Sequence, residues 1–156
     1  MDKEDIIDGL NNLIEINNDR IEGYEKASKE TDENDLKTLF TAFIKTSEKC
    51  RLELIDEVLF LGGTPAEGTK ISGKFFRAWM DVKTALTGRD RKTVLDSCEY
   101  GEDVAVNNYD KVINDFEDVK EGTSSPLKGL LMKQMNLIKS DHDRVRSLRD
   151  MEKQRM

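Results

Sequence analysis

Apolar residues recur along the chain at spacings of three and four, the repeat of an amphipathic helix, and no segment alternates apolar and polar positions as a strand would. The first stripe, Ile6, Leu10, Leu13, Asn17, Ile21, Tyr24 and Ser28, predicts a helix over about 5–30. Thr31 to Asp35 is a polar turn, after which Leu36, Phe40, Phe43, Ser47, Cys50, Leu54, Val58 and Leu61 predict a second helix over about 33–61. Gly62-Gly63-Thr64-Pro65 stops it, with glycine available for a left-handed cap. Ser72 opens a shorter amphipathic segment, about 73–87, carrying Phe75, Phe76, Trp79, Met80, Val82 and Leu86. A fourth stripe, Val94, Leu95, Cys98, Glu102, Ala105, Tyr109, Val112 and Phe116, predicts a helix over about 90–117 that Asp90 can cap. Ser125-Pro126 then starts the last, about 126–152, with Leu127, Leu130, Leu131, Gln134, Leu137, Ile138, Asp141, Val145 and Leu148 inward.

Four of these helices have about 25 residues each, or about 38 Å at 1.5 Å per residue, and matched lengths favour a four-helix bundle. The first and last connections are short, so each joins an antiparallel hairpin. The middle one, from Gly62 to Arg89, is long enough to return along the whole bundle, and its short helix could cover one flank. Two hairpins joined by one long crossover make the ferritin-like topology, so the expected fold is all-α, a single domain over 1–156.

Composition narrows the function. Among 156 residues, 25 Lys and Arg face 32 Asp and Glu, a net charge of −7 that argues against general nucleic-acid binding. No apolar run is long enough for a membrane span, and the acidic start Met1-Asp2-Lys3-Glu4-Asp5 does not resemble a secretory leader, so a cytoplasmic protein is expected. Cys50 and Cys98 are too few for a disulfide framework, and neither has a Cys-x-x-Cys partner or an adjacent imidazole to activate it. Glycine-rich phosphate loops and Ser/His/Asp arrangements are absent. Residues 126–156 carry a net charge of +4, which either complements acidic neighbouring helices or marks a helix presented to a protein partner.

The candidate site lies where the stripes turn polar: Asn17 in the first helix, Ser47 beside Glu48 and Arg51 in the second, Glu102 with Glu99 in the next long one, and Gln134 and then Asp141-His142 in the last. Aligned in a bundle, Asn17, Ser47, Glu102 and either Gln134 or His142 converge near one depth, with Tyr24 and Tyr109 able to hydrogen-bond the layer. A buried carboxylate such as Glu102 requires a partner, a proton or a cation. A di-iron site takes a Glu from each of two helices and Glu-x-x-His from each of the other two. This chain has one histidine, His142, with Lys139 three residues before it, and the second helix offers Glu48-Lys49-Cys50-Arg51, with Arg where the ligand His would stand. Arg51 is therefore expected to satisfy Glu102 or Glu48 as a metal would elsewhere. The alternatives are a surface Glu48–Arg51 pair, or a site for iron or another divalent metal using Glu48, Glu99, Glu102 and His142.

The segments Glu22-Gly23-Tyr24, Ala78 through Gly88, Cys98-Glu99-Tyr100-Gly101-Glu102-Asp103-Val104-Ala105 and His142-Asp143-Arg144-Val145-Arg146 resemble a bacterial family of ferritin-like four-helix-bundle proteins described as a domain of unknown function. The resemblance runs over roughly residues 5 to 150. It implies the bundle fold and kinship to iron oxidases, peroxide reductases and iron stores, with chemistry carried over only where ligands match. Glu48 and Glu102 match, whereas Arg51, Lys139 and Asn17 depart from the pattern. The sequence therefore points first to a non-enzymatic protein with a binding or stress-associated structural role, a degenerate metal site and no cofactor. The other readings are an iron oxidoreductase or iron-storage-like protein, and an adaptor presenting its last helix. Self-association as a dimer or an unknown protein partner is expected.

Overall fold

Residues 2–69, 91–117 and 124–155 are described by the computed structural model, and among them every regular element is a helix. The helices are α1 (Lys3–Glu30), α2 (Asn34–Phe60), α3 (Arg91–Glu117) and α4 (Ser124–Arg155). The helix expected over 73–87, with Phe75, Phe76 and Trp79, lies outside the described residues.

Local chemistry explains the ends. α1 starts two residues earlier than its apolar stripe suggests because Asp2 caps it: the Asp2 carboxylate accepts from the Asp5 N–H at 2.9 Å while the Asp5 carboxylate accepts from the Asp2 N–H. α2 ends in a Schellman motif. The Gly62 N–H donates to the Leu59 carbonyl and the Gly63 N–H to the Val58 carbonyl, and Gly62 takes the left-handed φ of 82° that this geometry requires. α4 begins at Ser124, so Pro126 stands in its first turn, where a missing N–H forfeits no intrahelical bond.

Each helix packs against two others, α1 on α2 and α3, and α4 on α3 and α2. Side-chain pairs fix their directions. Tyr24 of α1 packs its ring on Phe43 and Phe40 of α2, and Arg20 reaches Ser47, so α1 and α2 are antiparallel. Along α3, Val112 and Phe116 lie against Gly9, Tyr109 bonds Asn17 and Glu102 bonds Tyr24, so α3 also runs opposite to α1. Gln134 meets Glu53, and Arg144 lies over the Phe43 ring, so α4 is antiparallel to α2. α2 and α3 therefore point the same way. After α2 the chain doubles back beside α1, where Asn11 bonds the Thr64 carbonyl and the Ala66 N–H, and Asn18 bonds the Gly68 carbonyl.

Among the described residues the expected stripes face inward almost throughout. They form two apolar clusters, one around Leu10, Leu13, Leu54, Val58, Val112, Phe116 and Leu131, the other around Tyr24, Leu36, Phe40, Phe43, Leu95, Cys98 and Val145. Between them lie the polar side chains of the candidate site. At the far end of the second cluster Arg91, in the first turn of α3, pairs with Glu33 and Asp35 at the start of α2 and with Glu152 of α4.

Candidate functional site

Two polar layers cross the core, and every helix contributes to both. In the first, Asn17 Nδ2 donates to the Tyr109 hydroxyl at 2.9 Å, and that hydroxyl donates to Gln134 Oε1 at 2.7 Å. Gln134 Nε2 then donates to the Cys50 carbonyl and to Glu53 Oε1. Asn17, Tyr109 and Gln134 are all fully buried, and the bonds between them offset the cost of removing their polar atoms from water.

The second layer is ionic and is centred on Arg20, 1% exposed. Its guanidinium donates through Nη2 to Glu102 Oε1 at 2.6 Å and Asp141 Oδ2 at 3.2 Å, and through Nη1 to Ser47 Oγ at 2.5 Å. The Tyr24 hydroxyl donates to the same Glu102 oxygen at 2.6 Å, and its ring lies under the guanidinium at 5.7 Å. Burial alone would lower the Arg20 pKa, but the negative charge of Glu102 and its hydrogen bond, with Asp141 beside them, raise it above its ordinary value, so the guanidinium stays charged. Burial and the nearby Glu102 push Asp141 up to about 6 against the pull of Arg20. Burial and Glu102 also raise the Tyr24 hydroxyl and the Cys98 thiol, which are held protonated at neutral pH. Cys50, pushed up to about 11 mainly by burial, is equally unsuited to nucleophilic work.

The polar positions read from the sequence are thus divided between two depths. Asn17 and Gln134 share the layer of Tyr109, whereas Ser47 and Glu102 share that of Tyr24. Asp141, not its neighbour His142, enters the core. Arg51 does not reach Glu102: its guanidinium donates to Asn18 at 3.0 Å on the outer side of α1 and α2, and Glu48 is exposed. The residue that neutralises Glu102 is Arg20, which the apolar stripe passes over in favour of Ile21. The signal for it is the 3-4-3-4 series Leu10, Leu13, Asn17, Arg20 and Tyr24, which carries an arginine onto the core line.

Glu99 and His142 come together elsewhere, on the outer side of α3 and α4. With Asp103, which the sequence reading omits, they form a group whose ligand atoms all lie within 4.8 Å of one another. His142 Nε2 is 2.8 Å from Asp103 Oδ1 and 4.0 Å from Glu99 Oε1. Arg149 binds the other Glu99 oxygen, and Arg146 approaches Oε1 to 3.9 Å. The four metal candidates therefore do not make one site.

In the interior layer a guanidinium holds the centre on which both carboxylates converge, and the remaining groups are two protonated hydroxyls. This donor set does not fit a divalent cation: Arg20 supplies the positive charge and has no lone pair to offer a metal.

Among the described residues no helix is long and apolar enough to cross a membrane. No curated protein matches the chain. One family model does, a domain of unknown function (DUF2383), over residues 5–115. That span runs from α1 through most of α3 and includes Arg20, Tyr24, Ser47 and Glu102, three of the four helices that build the ionic layer. With more than half its length matched, the chain belongs to the DUF2383 family.

Proposed function

We propose that this protein is a ferritin-like bundle in which an arginine occupies the interior position a metal would take, and that it serves as a non-enzymatic binding or stress-associated structural module. The parallel course of α2 and α3 supports the ferritin-like part, because two such helices require a connection that returns along the bundle. The stress association comes from the family resemblance alone. One observation carries the reading: Arg20 of α1 bonds Ser47 of α2, Glu102 of α3 and Asp141 of α4 at a single buried point. A cation on one helix that gathers ligands from the other three does structurally what a metal does, without redox chemistry. The binding part is favoured by Leu52, Leu59 and Phe60 on the outer side of α2, which are 62%, 57% and 83% exposed.

Stopped-flow oxidation of Fe(II) by oxygen or peroxide tests the proposal. The protein is expected to oxidise Fe(II) no faster than buffer does. A protein-dependent burst that Glu102→Gln abolishes would overturn the reading and place redox chemistry in the core.

A further inference from the structure

We infer that Glu99, Asp103 and His142 form a mononuclear site for a first-row divalent transition metal on the outer side of α3 and α4, separate from the interior layer. Glu99 and Asp103 stand four residues apart on α3 and so share one face of the helix, one turn from each other. α4 runs antiparallel beside them and brings His142 to the same level. One imidazole and two carboxylates suit zinc, iron or manganese, and three ligands from the protein leave positions open for water.

Three details distinguish this group from an ordinary cluster of surface charge. First, His142 is 12% exposed, its Nε2 atom is buried, and the 2.8 Å approach to Asp103 Oδ1 lacks the alignment of a hydrogen bond. The nitrogen therefore sits against two carboxylates without a directed partner. Second, Arg149 binds Glu99 through Oε2, which leaves Oε1 as the oxygen nearest His142. Third, Asp143 Oδ1 lies 3.5 Å from His142 Nδ1, so the ring turns its other nitrogen, Nε2, to Glu99 and Asp103. Arg146 and Arg149 also restrain the negative charge of the group.

The test is titration of the full chain, carrying no added histidine tag, with Zn(II) alone, followed by calorimetry and by the imidazole NMR signals. His142 is the sole histidine of the sequence, so those signals need no assignment. The expected result is one zinc ion per chain with displacement of the His142 resonances. Affinity should fall by on the order of 100-fold or more in His142→Gln and in Asp103→Asn. Asp103 is 54% exposed at its side chain, so Asp103→Asn leaves the core intact. Unmoved imidazole signals, or equal zinc affinity in both variants, would overturn the inference. Zinc lost in Glu102→Gln but kept in Asp103→Asn would also overturn it by placing the ion in the core. The proposed function has a separate test, because Fe(II) oxidation can be absent whether or not zinc binds outside.

Discussion

Arg20 is worth more to the ionic layer than any one of its bonds suggests. Two buried carboxylates depend on it for charge compensation, so Arg20→Ala leaves both uncompensated and should destabilise the protein by about 3–5 kcal/mol in urea unfolding. Arg20→Lys keeps the charge but not the planar fork that serves Ser47 on one arm and Glu102 with Asp141 on the other, and it should recover only part of the loss. Asp141 gives the layer a pH dependence with a definite sign. Its pKa rises from 3.8 unfolded to about 6 folded, so the folded protein binds the extra proton. The stability this proton contributes is fully present below about pH 4 and is lost as pH rises through 6. Urea midpoints of the native chain should therefore fall relative to those of Asp141→Asn as pH is raised from 4 to 7, and parallel curves would show that Asp141 does not titrate in this window. At this scale the sequence was only half legible. Glu102, Ser47, Asn17, Gln134, Tyr24 and Tyr109 announce themselves as polar residues at apolar positions. Arg20 does not, because Ile21 beside it satisfies the same helical spacing and an arginine is read as surface by default. Asp141 and His142 are neighbours about 100° apart on the helix, and periodicity alone does not decide which of them turns inward.

Helices were the most readable level. The inward stripe of α2, from Leu36 to Val58, and that of α3, from Val94 to Phe116, are buried residue for residue. Ends were less so where polar side chains decide them. Asp2 and Asp5 read as a merely acidic beginning, yet their reciprocal bonds extend α1 to Lys3. Asp2→Ala should cost about 1 kcal/mol, measured as a lowered midpoint of thermal unfolding. Gly62 was legible, since a Gly-Gly pair after a long stripe predicts a left-handed cap. Gly62→Ala places a Cβ in that conformation and should cost about 1–2 kcal/mol in the same measurement, with helix content unchanged by circular dichroism. Gly9 has a different reason. A Cβ there would meet the Phe116 ring at 3.1 Å, so the glycine sets how closely α1 and α3 approach.

For the molecule as a whole, the polar layers set register. Each ties all four helices at one depth, so sliding any helix by a turn would leave buried donors and acceptors unmatched. Apolar contacts alone are more tolerant of such slips. Replacing Arg20, Glu102 and Asp141 together by Met, Leu and Leu should preserve or raise stability, as with other buried ionic groups exchanged for apolar ones. If register depends on the layer, the triple variant should show broadened amide NMR signals despite an undiminished urea midpoint; sharp, dispersed signals would show that packing suffices. The bundle class was evident from helix lengths and connections, whereas the depth at which the layers sit depends on pairings between helices that no single stripe reveals.

The division of the apolar core into two clusters also bears on how the protein opens. The polar slab resembles a grain boundary: oily contacts are continuous on either side of it and sparse across it. Amides of Leu10 to Ile16 and of Val112 to Phe116 should therefore exchange their hydrogens as one cooperative group, and those of Leu36 to Phe43 and Val94 to Cys98 as another. Each half can then breathe while the other holds the helices in place.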